Sequence, residues 1–262
     1  MQMNERISRH EASPYDEITA VERRPGRRFL WDVCMSWLYR VAPTISVCGD
    51  HDGMRFRPIS PDLLVAEVTE TIITRPGTEW TRVAVDGAPP TDPGAFADRL
   101  AEVLRVHGRA TQRVSAVDFL RPASLRFERG RTDPDARYDD WLDIGALTRE
   151  VFAPLGPGGA GRILPSLWDT ATDRATRADY VDLPRGGVLV LDGELLLGRG
   201  LPVDCSVHLW LSPAALRRRL PDDDAWALPA FERYHSTVHP LNRADFAVRV
   251  DDPAHPALLD TL

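Results

Sequence analysis

The segment RVAVDG at residues 82–87 decides the fold. It places three apolar residues between an arginine and an aspartate, and a short apolar run with polar ends is typical of a strand buried on both faces. A proline-rich loop follows, and then Phe96, Leu100 and Leu104 recur at the spacing of one helical face. This order puts the loop at the carboxyl end of a strand, where parallel sheets bind their ligands.

Strands and helices alternate along the rest of the chain. Further strands are predicted at residues 112–119, 187–192, 207–211 and 246–250, and helices at residues 60–74, from residue 212, and at residues 230–238. This alternation predicts an α/β fold with three layers, in which helices cover both faces of a central parallel sheet. Residues 121–184 are irregular and rich in Arg, Asp, Pro and Gly, and such a long insertion is expected to serve a site.

Residues 1–53 differ from the main domain, which is predicted to span residues 54–262. Within them, apolar residues of the segment 29–41 recur at helical spacing and predict an amphipathic helix. This helix could dock on the main domain or contact a partner protein. Residues 1–53 could instead be an upstream extension from a misassigned start codon.

Composition excludes several classes of protein. The 262 residues carry a net charge of −7, and no stretch approaches the roughly eighteen apolar residues of a membrane span. We therefore expect neither nucleic-acid nor membrane binding. Cys34, Cys48 and Cys205 form no CxxC pair, which favours a reducing cytoplasm over a disulfide framework. His235 and His239 have ligand-like spacing, but no second pair accompanies them and no zinc site is expected.

The chain contains no lysine, so that all of its 32 basic residues are arginine. Any mechanism that requires a lysine ammonium, such as a phosphate-binding lysine or a Schiff base, is excluded.

Several short phrases in the sequence occur in an order that is typical of one family. They are Val85-Asp86-Gly87, Asp118-Phe119-x-Arg121-Pro122, Arg129-Gly130-Arg131 and the segments 138–143, 154–159, 168–173 and 188–193. Over about residues 54–255 the chain resembles the bacterial uridine-kinase-like branch of the P-loop nucleoside kinases, which includes pantothenate kinase and phosphoribulokinase relatives. The resemblance implies a P-loop nucleoside kinase fold, a nucleoside-like ligand and, for an active enzyme, ATP and Mg²⁺.

The phosphate loop of that family reads G-x-x-x-x-G-K-[ST], and this chain departs from it. Gly87 matches the first glycine, but Asp92 replaces the second glycine, Pro93 the lysine and Gly94 the hydroxyl residue. Asp92 adds negative charge, Pro93 removes both an ammonium and a backbone N–H, and Gly94 offers magnesium no oxygen. The sequence therefore predicts a degenerate phosphate loop.

The family's base is the second departure. The first aspartate of its D-[DS]-F motif is Val117 here, and the acid that remains, Asp118, is one position later. Adjacent residues of a strand point to opposite faces, so that Asp118 can replace the base only if the strand ends before it.

Other features of the family are kept, and each has an ordinary structural alternative. Asp192 matches the metal-binding acid but could be a turn cap, and Arg217, Arg218 and Arg219 match the lid arginines but could form a solvated face. The pocket candidates implied by the resemblance are Arg121, Tyr138, Trp168, Asp169 and Asp173.

Three functions remain open from the sequence. The preferred one is a binding or regulatory protein that keeps the kinase fold without conventional ATP-dependent phosphotransfer. The second is an active kinase in which Arg121, Arg131 or residues 217–219 bind phosphate, with Asp192 or Asp118 on the metal. The third is an interaction protein that works through residues 29–41.

Overall fold

The computed structural model describes residues 54–75 and 79–260. The predicted extension 1–53, including the amphipathic segment 29–41, lies outside these described residues. Across the described helices, none has both the length and the apolar composition that a membrane span requires.

Eleven strands are described in these ranges. In chain order they are β1 (Phe56–Pro58), β2 (Thr81–Gly87), β3 (Thr111–Ser115), β4 (Arg162–Ile163), β5 (Trp168–Asp169), β6 (Arg174–Ala175), β7 (Val181–Asp182), β8 (Val188–Gly193), β9 (Cys205–Trp210), β10 (Phe246–Arg249) and β11 (Ala257–Leu259). Seven of them form the main sheet in the order β1-β11-β10-β9-β2-β8-β3. Strands β10, β9, β2, β8 and β3 are parallel, and β11 runs antiparallel to β10 and β1.

The helices join consecutive strands of the sheet or lie in the long insertion. In chain order they are α1 (Pro61–Thr74), α2 (Pro93–Val106), α3 (Ala123–Arg126), α4 (Pro134–Asp139), α5 (Ile144–Leu147), α6 (Pro213–Arg219), α7 (Leu228–Val238) and α8 (Pro240–Arg243). The predicted start of α1 is confirmed, because the Ser60 hydroxyl accepts a hydrogen bond from the Leu63 N–H and a proline opens the first turn.

Strand β8 shows how the sheet is covered on both faces. Val188 and Val190 belong to the core under α1, α2 and α7, whereas Leu189 and Leu191 belong to a second core built with the insertion. All four side chains are fully buried, as the period of two along a central strand requires. The predicted α/β fold, with a mostly parallel sheet between two helical layers, is confirmed.

The predicted strand at residues 112–119 is too long. Strand β3 ends at Ser115, and Ala116–Phe119 form a 3-10 turn that buries Ala116 and Phe119. Both of these residues join the second core. Residues three positions apart lie on the same side of a 3-10 turn, so that both can be buried together. The chain leaves the sheet at this turn and enters the insertion.

Candidate functional site

The loop after β2 is compact and bonded to itself. From Gly87 the chain passes through a 3-10 turn, Pro89–Thr91, in which the Thr91 N–H and hydroxyl both donate to the Ala88 carbonyl, at 2.8 and 2.7 Å. A Cβ on Gly87 would lie 2.4 Å from the Thr91 hydroxyl oxygen. Glycine at this position therefore permits the close approach of the loop to the end of β2.

Asp92 joins this loop to helix α2. Its backbone is left-handed, with φ of 52°, and its Oδ1 accepts a hydrogen bond from the Ala95 N–H at 3.0 Å. A helix N-terminus attracts anions, and here the side chain of the cap itself supplies one. Pro93, the first residue of α2, contributes no N–H at this end.

A guanidinium from β3 lies beside the start of α2. Arg113 binds Asp192 with two hydrogen bonds, from Nε to Oδ1 at 2.7 Å and from Nη2 to Oδ2 at 3.1 Å. Its Nη1 donates to both oxygens of Asp98, at 2.8 and 2.9 Å. The hydrogen bond with Asp192 raises the pKa of Arg113, and the Ser115 hydroxyl adds a third donor to Asp192 at 3.2 Å.

Gly94 and Arg113 are sterically linked. A Cβ on Gly94 would lie 2.7 Å from Arg113 Nη2 and 3.6 Å from Asp192 Oδ2. Any side chain at position 94, including the hydroxyl residue of a P-loop, would require the guanidinium to shift. The lack of a side chain at residue 94 therefore makes room for the guanidinium of Arg113.

These residues do not fit a magnesium–triphosphate group held in the manner of a P-loop. Asp92 places a carboxylate at the helix N-terminus, where phosphate would bind. Asp192 is already bonded by Arg113 and Ser115, and Gly94 offers no ligand oxygen. Within residues 54–75 and 79–260, no three His, Cys, Asp or Glu side chains are grouped to hold a metal ion.

A cavity of about 290 Å³ opens at the carboxyl ends of β2 and β8. Gly87, Pro93, Gly94 and Asp192 line it on the side of the loop. The rest of the wall comes from the turn after β3, from the insertion and from the turn after β8. Its apolar members are Val117, Leu120, Trp141, Leu142 and Leu195.

Two arginines in the cavity wall are held by the protein. Arg137 binds Glu194 through Nε and Nη2, at 3.0 and 2.8 Å, and packs over the ring of Trp141. Arg199 donates from Nε to the Leu195 carbonyl at 3.0 Å and from Nη2 to the Tyr138 carbonyl. Both guanidinium groups are thus fixed before any ligand arrives.

The candidate base positions point in different directions. Val117 is half-exposed and lines the cavity. Asp118 hydrogen-bonds Ser166, and burial raises the pKa of its carboxyl despite this bond. Strand β3 does end before Asp118, as replacement of the base would require, but the cavity wall in this part of the chain includes Val117 rather than Asp118.

Tyr138, one of the pocket candidates, is built into the packing of α4 on α7. Arg199 and Arg233 contact its ring, with centroid distances of 4.5 and 4.3 Å. Its hydroxyl lies 3.2 Å from the Thr237 hydroxyl. Arg121 lies at the entry to the insertion, where its carbonyl accepts a hydrogen bond from Arg126.

The other three pocket candidates belong to the small β5–β6 hairpin. The Trp168 Nε1–H donates to Asp173 Oδ1 at 3.0 Å, and the same oxygen accepts from the Ala123 N–H at 2.8 Å. Asp169 accepts the Thr172 hydroxyl at 2.6 Å. These hydrogen bonds lower the pKa of both aspartates, that of Asp169 chiefly through Thr172 and that of Asp173 chiefly through Ala123. Among the described residues, the cavity lining includes none of these three.

Of the three predicted lid arginines, one binds the loop after β2 and two lie at the surface. Arg219 donates from Nη1 to the Val250 carbonyl at 2.8 Å and from Nη2 to the Pro90 carbonyl, and so fastens the loop after β2. Arg217 pairs with Glu232 at 3.0 Å, and both Arg217 and Arg218 are exposed.

A buried polar network lies beneath the loop after β2, and it was not predicted from the sequence. Asp86, which is fully buried, accepts hydrogen bonds from the Leu196 N–H at 2.8 Å, from His208 Nδ1–H at 2.6 Å and from the Tyr234 hydroxyl at 2.8 Å. Burial, reinforced by the Asp86 charge, raises the pKa of Tyr234. The signals in the sequence are a carboxylate at the end of an apolar strand and a histidine inside another, but only the strand register pairs them.

The neighbouring His235 gives this network a pH dependence. Burial and, to a smaller extent, His208 lower the pKa of His235 to about 4, while the Asp86 carboxylate opposes the shift. In the unfolded chain the pKa of histidine is about 6.5, so the unfolded state binds an extra proton between about pH 6.5 and pH 4. Stability should fall as the pH is lowered through this window, by about 2–3 kcal/mol from this residue.

Urea unfolding of the wild type and of His235→Gln at about pH 7 and about pH 4.5 measures this contribution. We expect His235→Gln to lose less stability on acidification than the wild type, and the exposed His107→Gln control to behave as the wild type. An equal loss in the wild type and His235→Gln would contradict the assignment.

Comparison with known proteins supports the fold. No family model matches the chain, and no curated protein matches it. A solved structure described as a possible uridine kinase, from Bacillus stearothermophilus, is 19% identical with a TM-score of 0.58, covering 70% of this chain and 96% of that one.

A second solved structure, a protein assigned as a fructose transport system kinase from Silicibacter sp. TM1040, is 21% identical. Its TM-score is 0.53, and the match covers 71% of this chain and 95% of that one. The chain therefore has the fold of the uridine-kinase-like P-loop kinases, as the resemblance in its sequence implies.

Proposed function

We propose that this protein uses its kinase fold to bind a small molecule and does not carry out conventional ATP-dependent phosphotransfer. The observation that carries the proposal is the position of Arg113, which is bonded twice to Asp192 and whose Nη2 lies 2.7 Å from the place that a Cβ on residue 94 would take. In the family that the sequence resembles, magnesium is held by a hydroxyl residue at the position of Gly94 and by an acid at the position of Asp192. A fixed positive charge from the protein thus replaces the metal.

The energetic consequence follows from burial. Asp192 is 4% exposed, and a cation could reach its carboxylate only after the arginine moved away. Breaking a charged, bidentate, partly buried pair costs on the order of 2–4 kcal/mol. That cost would weaken magnesium binding by a factor of about 30 to about 1,000.

The contacts in the rest of the loop support the view that another structure has replaced the phosphate site, rather than that the site was simply lost. Asp92 caps α2, Thr91 closes the turn on Ala88, and Arg219 is bonded to the loop carbonyl at Pro90. The altered loop is thus a bonded structure, in which the changed residue Asp92 caps α2. A loop that had merely lost its ligand would not be expected to gain a cap, a closing turn and an arginine in contact with its glycine.

The alternative, a kinase with an arginine-based phosphate site, is weakened at three of the predicted arginines. Arg131 packs over the ring of Phe127, Arg219 is occupied by two carbonyls, and Arg217 is paired at the surface. A protein contact through residues 29–41 is a separate proposal about residues outside those described.

A γ-phosphate transfer assay over a panel of nucleosides and vitamins tests the proposal. We expect the wild type to transfer no more phosphate than its Asp192→Ala variant. Turnover that requires magnesium and is abolished in Asp192→Ala would show an active kinase and would overturn the proposal.

A further inference from the structure

The charged side chains that line the cavity are all engaged by other groups of the protein. Asp192 accepts three hydrogen bonds, two from Arg113 and one from Ser115. Glu194 is held by Arg137 through two parallel bonds, and Arg199 is bonded to two backbone carbonyls. Among the described lining residues, both carboxylates are therefore paired with arginine. Arg199 has no carboxylate partner and is engaged by two carbonyls and by the ring of Tyr138.

The remaining wall offers little to a polar ligand. Val117 occupies the position of the family's base, and it is 50% exposed because its side chain borders the cavity. Leu120, Leu142 and Leu195 supply apolar surface, and Pro89 and Pro93 add ring carbons but no N–H. Trp141 adds an aromatic ring that is already held by Arg137.

We propose that the cavity takes an uncharged, predominantly apolar ring compound, an inference that rests on the proposed binding function. The volume of about 290 Å³ is large enough for a bicyclic molecule. Ligand pockets of this kind are mostly apolar, with few polar groups to orient the ligand.

Charged or polyhydroxylated ligands are disfavoured by the same contacts. A carboxylate or phosphate would have to compete with Glu194 for Arg137, or with the Leu195 and Tyr138 carbonyls for Arg199. The hydroxyl groups of a sugar would face leucine and proline side chains and would leave their hydrogen bonds with water unreplaced. The proposed ligand thus differs from the nucleoside-like ligand that the family resemblance implies.

Calorimetry with three probes tests the ligand class. The probes are 1-naphthol, which is uncharged, 1-naphthoate, which has the same rings and a carboxylate, and uridine. We expect 1-naphthol to bind the wild type with a Kd on the order of 100 μM and 1-naphthoate to bind at least about tenfold more weakly. Absent or weaker binding of 1-naphthol relative to 1-naphthoate or uridine would overturn the proposal.

A matched pair of variants locates the site. Val117→Asp places a charge in the cavity wall, whereas Val106→Asp makes the same change at a residue that is 81% exposed at the end of α2. We expect the first variant to weaken 1-naphthol binding at least about tenfold and the second to leave it unchanged. Equal affinities in the two variants would place the bound naphthol elsewhere and overturn the proposal.

The two proposals fail in different ways. Magnesium-dependent phosphate transfer would overturn the proposed function. Uridine or 1-naphthoate binding more tightly than 1-naphthol, with no phosphate transfer, would overturn only the ligand class.

Discussion

Substitution of Asp86 by alanine is expected to lower the free energy of unfolding by about 3–5 kcal/mol, enough to unfold many domains. Asp86 is fully buried and accepts hydrogen bonds from Leu196, His208 and Tyr234. Its loss leaves three buried donors without an acceptor, and each unsatisfied donor costs about 1–3 kcal/mol. The effect should not depend on any ligand.

Urea unfolding followed by circular dichroism measures this effect. Asp179→Ala, which removes an exposed carboxylate, serves as the control and should lie within about 0.5 kcal/mol of the wild type. Tyr234→Phe removes one donor from the network and should cost about 1–2 kcal/mol. An Asp86→Ala protein as stable as the control would show that the network does not support the fold.

Replacement of Arg113 by alanine should have two effects. Removing the guanidinium leaves Asp192 buried with only the Ser115 hydroxyl, at an expected cost of about 2–3 kcal/mol. It also exposes two oxygen ligands of the kind that magnesium and manganese prefer. Divalent cations should therefore raise the melting temperature of Arg113→Ala and leave that of the wild type unchanged.

Thermal unfolding with and without Mg²⁺ or Mn²⁺ checks this prediction. Arg217→Ala is the control, because it removes the same charge from an exposed pair with Glu232 that contributes little. If cations stabilise the wild type as much as Arg113→Ala, then Arg113 does not occupy the metal position.

The fold was predictable because the deciding signals are local. Apolar runs at residues 82–87 and 187–192 predicted two central strands, and Ser60 with Pro61 predicted the start of α1. The departures of the loop after β2 from the family pattern are visible in the residue types, and the loss of its phosphate site stays a prediction.

The arrangement within the site was not predictable, because it depends on sheet register. Strands β3 and β8 pair Ser115 with Asp192, which brings Arg113 within reach of the same carboxylate. Strands β2 and β9 pair Asp86 with His208. Such partners lie about 80 to about 120 residues apart in the chain, and short periodic patterns carry no information about pairs at that separation.

The inserted segment shows a related limit of prediction from sequence. Tyr138, Trp168 and Asp173 lie in phrases that resemble a ligand pocket, yet each is engaged in packing or in a hairpin. A residue type typical of a ligand pocket can also serve local structure. Only contacts with α7 and with the first residue of α3 separate the two roles.

A protein guanidinium in the place of the metal should exclude ATP·Mg²⁺. The most direct measurement is calorimetric titration of the wild type with ATP in the presence of magnesium. We predict no binding tighter than about 1 mM. A micromolar affinity for ATP that is lost when magnesium is removed would contradict the claim.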